Sequence, residues 1–435
     1  MFAHYLGLAA RSLARNAGLT TLMVVAVGIG IGASMTMITV VHVISGDPLP
    51  ARSAHLYIPH LDPRPKDASD NLPTDDLSWP DAQALMRGGG ASLQAMMSDG
   101  LVMVRNSPSE PAAHASYESA RYTTPGFFQL FGVPLVQGRG FDEAEESARA
   151  QVAVIDATLS QRLFGTSQGV GRALRIGEAN YTVIGINDAW NPQPMFYKDL
   201  GAGHGFGEPE VIFLPLSTAM ANHLNAGHTA CWAKVPDAAD TLTSPDCSWL
   251  QLWVELADAG AVARYRQFLD NYWQHERARG RFTRHVPPEL FDLRQWLARA
   301  KLAPGDVQLQ LWLSIGFLVV CLVNIVALLM AKFLRRSAEI SVRRALGATR
   351  RAIFAQFAME AWLVGIGGAL LGVLVAGAGL WTVRQRPDDY ARLAHMDLTT
   401  LFYTVTLAMG ATVLAGLLPA WRACRVAPAL QLKSL

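Results

Sequence analysis

Three groups of residues in this chain have types and spacing that could do chemistry: the carboxylates Asp142, Glu143, Glu145 and Glu146, the set His223, His228 and Cys231, and a run of arginines after Lys332. Close carboxylates can divide into a general acid and a general base, but this run reads better as a solvated turn. Two imidazoles and a thiol could ligate zinc, yet they match no strict ligand motif, so surface or core histidines are the expected reading. A phosphate-cradling loop needs a lysine directly after glycine. Lys66, Lys198, Lys234, Lys301, Lys332 and Lys433 all follow other residues, which excludes ATP binding by that route. A Gly-x-Ser-x-Gly nucleophile elbow is also absent. No catalytic residue, cofactor or metal is expected on these residues.

The arginines point to a different kind of work. Between Arg335 and Gln356 the chain reads RRSAEISVRRALGATRRAIFAQ, a basic amphipathic segment between two apolar runs. A helix there places Val342, Leu346, Thr349 and Ile353 on one face and Arg336, Glu339, Arg343 and Arg350 on another. Glu339 and Arg343 stand at i, i+4 and can pair. Gly347 is placed to end this piece and Thr349 to cap the next. So charged a helix belongs in water beneath a membrane, where it offers either a docking surface or a basic anchor at lipid headgroups.

The elements that must position it are apolar helices. The chain has 435 residues, 51% hydrophobic and 17% charged, with mean hydropathy +0.20. Its net charge of +2 argues against nucleic acid as a partner. Four uncharged runs, from about Leu19 to Ile44 and inside Asp306–Lys332, Glu360–Arg384 and Asp397–Arg422, are each long enough to cross a ~30 Å hydrocarbon core as a helix. Gly28, Gly30 and Gly32, with Gly365, Gly367, Gly368 and Gly372, are spaced for close helix packing in lipid. The first run exceeds the ~7–15 residues of a signal-peptide core, so a retained anchor is expected. No Asp, Glu, Lys or Arg is expected inside any span, so transport driven by an ion gradient is disfavoured. Arg11 and Arg15, the 332–351 stretch, and Arg422, Arg425 and Lys433 all belong on the cytoplasmic side. The long segment after the first span then lies outside.

That segment mixes strand-like and helical patterns. Asp47–Asp81 reads as an irregular lead-in. Phe127, Phe128, Leu130 and Phe131 make an apolar helical turn, Val152–Ile155 a buried strand and Ala157–Phe164 a helix. Gly169–Ile186 reads as a hairpin turning at Gly177–Asn180. Strands at Val211–Leu214 and Trp249–Leu256 precede a helix at Gly260–Arg277. Cys231 and Cys247 fall outside, where an oxidising compartment would allow a disulfide; the alternative is two unrelated buried thiols.

EISVRRALGATRRAIFAQFAMEA, from Glu339 to Ala361, resembles the permease signature of MacB/FtsX-type ABC transporters of the mechanotransmission class. LAARSLARNAGLTTL, GIGIGAS and the ending PAWRACRVAPALQLKSL are similar to the same family, and FFQLFGVPLVQGRGF and VIDATLSQRLFG resemble the MacB periplasmic core domain. The resemblance implies an α-helical membrane protein with four transmembrane helices and a large α+β extracytoplasmic domain between helices 1 and 2. The expected parts are an elbow helix (1–18), span 1 (19–45), the periplasmic domain (46–308), span 2 (309–333) and a cytoplasmic coupling region (334–351). Span 3 (352–383), a short periplasmic loop (384–397), span 4 (398–421) and a cytoplasmic tail (422–435) follow.

The resemblance further implies that Glu339, Ile340, Val342, Arg343, Arg344, Leu346 and Gly347 engage a separate ABC ATPase dimer, which binds ATP and Mg. The expected setting is the bacterial inner membrane, with both termini cytoplasmic. A second permease copy or sister permease, and a periplasmic adaptor with an outer-membrane duct, are the other implied partners. Export of a peptide, antibiotic or amphipathic small molecule is the leading expectation. FtsX-like signalling to a periplasmic hydrolase and lipoprotein extraction are the rivals. Trp190–Gly207 and the stretch between Cys231 and Cys247 look like insertions in the usual outer domain.

Overall fold

The structure is a computed structural model. It describes residues 7, 9, 11–68, 75–105, 115–188, 190–198, 200, 205–235, 240–301, 305–335, 347, 349–386, 391, 393, 401–402, 405–406, 409–410 and 413–414. The chain divides into a helical unit, Met1–Gly46 with Ala303–Leu435, and an α+β unit, Asp47–Leu302.

Three helices among the described residues are long and apolar enough to cross a membrane. They belong to α1 (Ala17–Ser45), α9 (Gly305–Arg335) and α10 (Arg350–Arg384). The fourth expected span falls largely outside the described residues. Before α1, residues 11–14 are helical and the chain turns at Arg15–Asn16; the Thr20 hydroxyl donates to the Leu13 carbonyl across that turn at 3.0 Å.

Small residues let α1 approach both neighbours. A Cβ on Gly28 would stand 2.8 Å from Leu371, and one on Gly372 2.8 Å from Ile31, so α1 and α10 pack backbone to side chain. On another face, Gly30 meets Leu318 and Cys321 of α9, and the Ser34 hydroxyl donates to the Ser314 carbonyl at 3.0 Å. Met23, Val27 and Ile31 of α1, Ile325 and Leu329 of α9, and Phe357 and Val364 of α10 share one buried apolar cluster.

The α+β unit is built on a mixed sheet of twelve strands among the described residues. In chain order these are β1 (Leu56–His60), β2 (Leu77–Ser78), β3 (Leu93–Arg105), β4 (Ser116–Thr123), β5 (Leu135–Gly138) and β6 (Val152–Asp156). They continue with β7 (Ala173–Ile176), β8 (Ala179–Asn187), β9 (Ile212–Pro215), β10 (Ala230–Cys231), β11 (Cys247–Glu255) and β12 (Glu289–Asp292). The main path runs β12-β1-β11-β3-β4-β9-β6-β8-β5, with β4–β9 and β6–β8 parallel.

Both faces of this sheet are buried. Ile212 and Leu214 enter one core while Phe213 enters the other, and Leu252 and Val254 oppose Trp253 in the same way. Strands covered on both sides read as continuous apolar runs rather than alternating ones. Helices α2 (Trp79–Gly88) and α7 (Ala259–Ala278) cover the first face, contributing Leu85, Tyr265 and Leu269. Helices α3 (Gly126–Phe131) and α8 (Leu293–Ala300) cover the second, joined by Trp190, Phe196, Tyr197 and Leu200.

One expectation changes here. The lead-in Asp47–Asp81 holds β1, β2 and the start of α2; β1 gains its order from β11 and β12, far away in sequence, which local pattern does not reveal. The stretch from Trp190, which looks like an insertion in sequence, packs its aromatic side chains into the second core. Trp190 stacks on Tyr197 at 5.0 Å, and Phe196 meets Phe131 at 5.1 Å and Trp253 at 5.0 Å.

Candidate functional site

Glu339, Ile340, Val342, Arg343, Arg344 and Leu346 lie outside the described residues. Gly347, the last of the expected coupling set, is an exposed turn residue with φ +97°, a backbone conformation that suits glycine. Two residues on, Thr349 caps α10: its backbone is extended and its hydroxyl accepts from the Ala352 amide at 3.3 Å. The sequence expectation for Thr349 therefore holds, whereas the helical piece that Gly347 is expected to end lies outside the described residues.

The frame that holds this segment is described on both sides. Helix α9 delivers the chain to it at Arg335 and α10 takes it up at Arg350. Just above, the Lys332 ammonium and the Glu360 carboxylate bond at 2.6 Å, with side chains 2% and 0% exposed. These residues bounded two uncharged runs, yet the helices continue past them. Glu360 thus lies inside the third candidate span, Ala352–Arg384, contrary to the expectation that no acidic or basic residue lies within a span. Pairing makes that burial tolerable, because a charge in apolar surroundings persists only with a partner. A run of uncharged residues could not reveal the pairing.

In the α+β unit the described clusters of titratable groups include buried ion pairs that join distant elements. Arg121 and Glu210, both fully buried, form a close ion pair. Tyr197 donates to Glu210 at 3.1 Å, and the Lys198 ammonium stands 3.6 Å from the same carboxylate. Burial opposes charge on Glu210, but Arg121 and Lys198 outweigh it and hold the carboxyl below its usual range. Burial and Glu210 together push the Tyr197 hydroxyl well up. The pair fastens the stretch from Trp190 to β4.

The acidic run is not a solvated turn throughout, since it caps and forms a short helix and its carboxylates take partners. Asp142 and Glu145 form a capping box at α4 (Glu143–Ser147). Glu145 takes two bonds from Arg139, at 2.6 and 2.7 Å, and these lower its pKa. Glu146 accepts from the Ser217 amide at 2.9 Å, while burial pushes its pKa up. Of the histidine–cysteine set, His228 stands 4.0 Å from Asp76. Cys231 is bonded to Cys247, its cross-strand partner between β10 and β11, and so offers no thiolate to a metal.

Residues 20–267 match the family described as MacB-like periplasmic core domain, and residues 311–428 match the FtsX-like permease C-terminal family. The chain belongs to the MacB/FtsX-type ABC transporter permeases. It is 27% identical over 332 residues to the macrolide export ATP-binding/permease protein MacB 1/2 of Paracoccus denitrificans, covering 75% of this chain and 42% of that protein. With the protein MacB of Neisseria gonorrhoeae it shares 26% identity over 310 residues, 69% of this chain and 41% of that one. The chain spans less than half the length of these relatives. The crystal structure of the periplasmic region of MacB from Actinobacillus actinomycetemcomitans aligns at TM-score 0.38 and 10% identity, covering 60% of this chain and 99% of that one. By the first family match, the α+β unit is a periplasmic-type domain in a protein with three helices long and apolar enough to cross a membrane. The 336–349 segment falls within the FtsX-like match.

Proposed function

We propose that this permease couples ATP hydrolysis by an ABC ATPase subunit, docked on the 336–349 segment, to movement of its periplasmic domain, and so drives export of a peptide, antibiotic or amphipathic small molecule. The observation that carries this reading is the order of the two family matches in one chain. A MacB-like periplasmic domain precedes an FtsX-like part whose two long helices flank a basic segment. The curated relatives named above are macrolide export proteins, which supports export over signalling. On this reading a fourth span crosses within 398–421 and both termini are cytoplasmic. The permease then works beside a second copy or a sister subunit, with an adaptor on the periplasmic side.

Affinity purification of the tagged chain from its native membrane, followed by mass spectrometry, tests the assembly. Recovery of an ABC ATPase with an adaptor is expected; an ATPase with a cell-wall hydrolase, or no ATPase, would overturn the export reading. Glu339→Arg and Arg343→Glu, assayed in the same way, should each lose the ATPase while the permease stays inserted. If both variants retain the ATPase and transport, the coupling assignment is wrong.

A further inference from the structure

Lys332 lies three residues before the end of α9 and Glu360 ten residues after the start of α10, so their bond joins the two helices that bracket the 336–349 segment. Elsewhere both helices pack on α1 through different glycines, Gly30 towards α9 and Gly28 and Gly32 towards α10. Leu329, one turn before Lys332, and Phe357 and Val364, one turn either side of Glu360, belong to the apolar cluster shared with Met23 and Val27. The two charges therefore meet in dry surroundings.

A buried ion pair is a poor source of net stability, because desolvation offsets most of the attraction and an apolar pair of similar volume does as well. What it provides is a defined geometry with a steep penalty for separation, since opposite charges in low dielectric attract strongly. Apolar contacts let helices slide or rotate past one another; a short ammonium–carboxylate bond does not. Placed directly above a segment that receives force, such a bond keeps the force from being spent in spreading the two helices.

We infer that Lys332 and Glu360 form a positioning latch, fixing the spacing of α9 and α10 where they enter and leave the 336–349 segment so that its displacement moves both helices together. The inference rests on the coupling role proposed above for that segment. Neither residue touches substrate or nucleotide; both act through the helices they hold.

The test uses the full chain in lipid nanodiscs with its co-purified ATPase. Spin labels are placed at Ala331 and Ala355, with Cys321→Ser and Cys424→Ser as background, and the inter-label distance is measured with and without ATP and vanadate. The parent should give one narrow distance that nucleotide leaves unchanged. Lys332→Met and Glu360→Gln should each lose that narrow peak and acquire a nucleotide-dependent distribution while still retaining the ATPase. The exchanged pair, Lys332→Glu with Glu360→Lys, should recover the narrow peak.

Narrow, nucleotide-insensitive distances in the single variants would overturn the latch, as would a nucleotide-dependent distance in the parent. If a single variant fails to fold, the exchanged pair decides: a folded protein with a broad distribution overturns the inference. Should no ATPase accompany the parent, the coupling reading fails, and the nucleotide-free distances still decide whether the pair sets the helix spacing.

Discussion

Arg121 projects from a central strand into full burial, and Glu210, Tyr197 and Lys198 converge around it. Removing Arg121 takes away the closest counter-charge of buried Glu210 and leaves it to Lys198 at 3.6 Å. Arg121→Met should therefore cost the periplasmic domain about 3–5 kcal/mol, read as a lower denaturation midpoint of the intact protein in detergent. Replacing both, Arg121→Met with Glu210→Leu, should recover much of that loss. His60 gives a pH dependence. Burial lowers its pKa and Arg299 adds to the effect, against the opposing pull of Asp75, Glu289 and Asp62. The folded domain then binds fewer protons at this site than the unfolded chain, so the His60 contribution falls as pH drops below about 6.5. A His60→Gln variant should show a flatter loss of stability between pH 7 and pH 5 than the parent. An unchanged profile would mean that His60 does not set this dependence.

At the scale of elements, Cys231–Cys247 closes a loop with a sequence separation of 16 between the short β10 and the long β11. Replacing both cysteines by alanine should cost about 3 kcal/mol on the chain-entropy account, measured under oxidising conditions against the parent. The contact of α1 with α10 makes a sharper case. Gly372→Leu puts a side chain where Ile31 already stands, and the variant should lose the helical unit's packing and elute as aggregate, whereas Gly377→Ala, with open space around it, should behave as the parent.

What the sequence revealed follows from locality. Val152–Asp156, Ala157–Phe164 and the β7–β8 hairpin carry their own pattern and turn residues, and the strands and helix lie within a residue or two of expectation. β3 and β4 did not stand out, although β3 is thirteen residues long, because Gly100 interrupts its pattern and its partners are distant. The core role of the stretch from Trp190 is not legible locally for a related reason: prolines and glycines mark a loop, but only the assembled sheet shows that the loop fills a core. Of the candidate site, the cap at Thr349 is readable from residue type. The Lys332–Glu360 bond is not, because its partners stand 28 positions apart on different helices.

For the molecule as a whole, the arginine distribution predicts an even number of crossings. A fluorescent protein fused after Leu435 should fold and glow, and alkaline phosphatase fused after Arg386 should be active. The reverse pair of results would invert the proposed topology. The periplasmic domain interrupts the membrane part of the chain, so two tethers connect them, and the sheet dictates where both join the domain. β1 and β12, the first and last strands of the domain, are antiparallel neighbours, Tyr57 lying opposite Asp292 and His60 opposite Glu289. Both tethers therefore reach this strand pair at the same end. A load that draws them apart would open the pair like a zipper, one rung after another, which is the weak direction of a β ribbon. A load that moves them in step leaves every rung unstressed. The domain is mechanically suited to being carried by its two helices in unison, and the first place it would yield to unequal pulling is its own outermost strand.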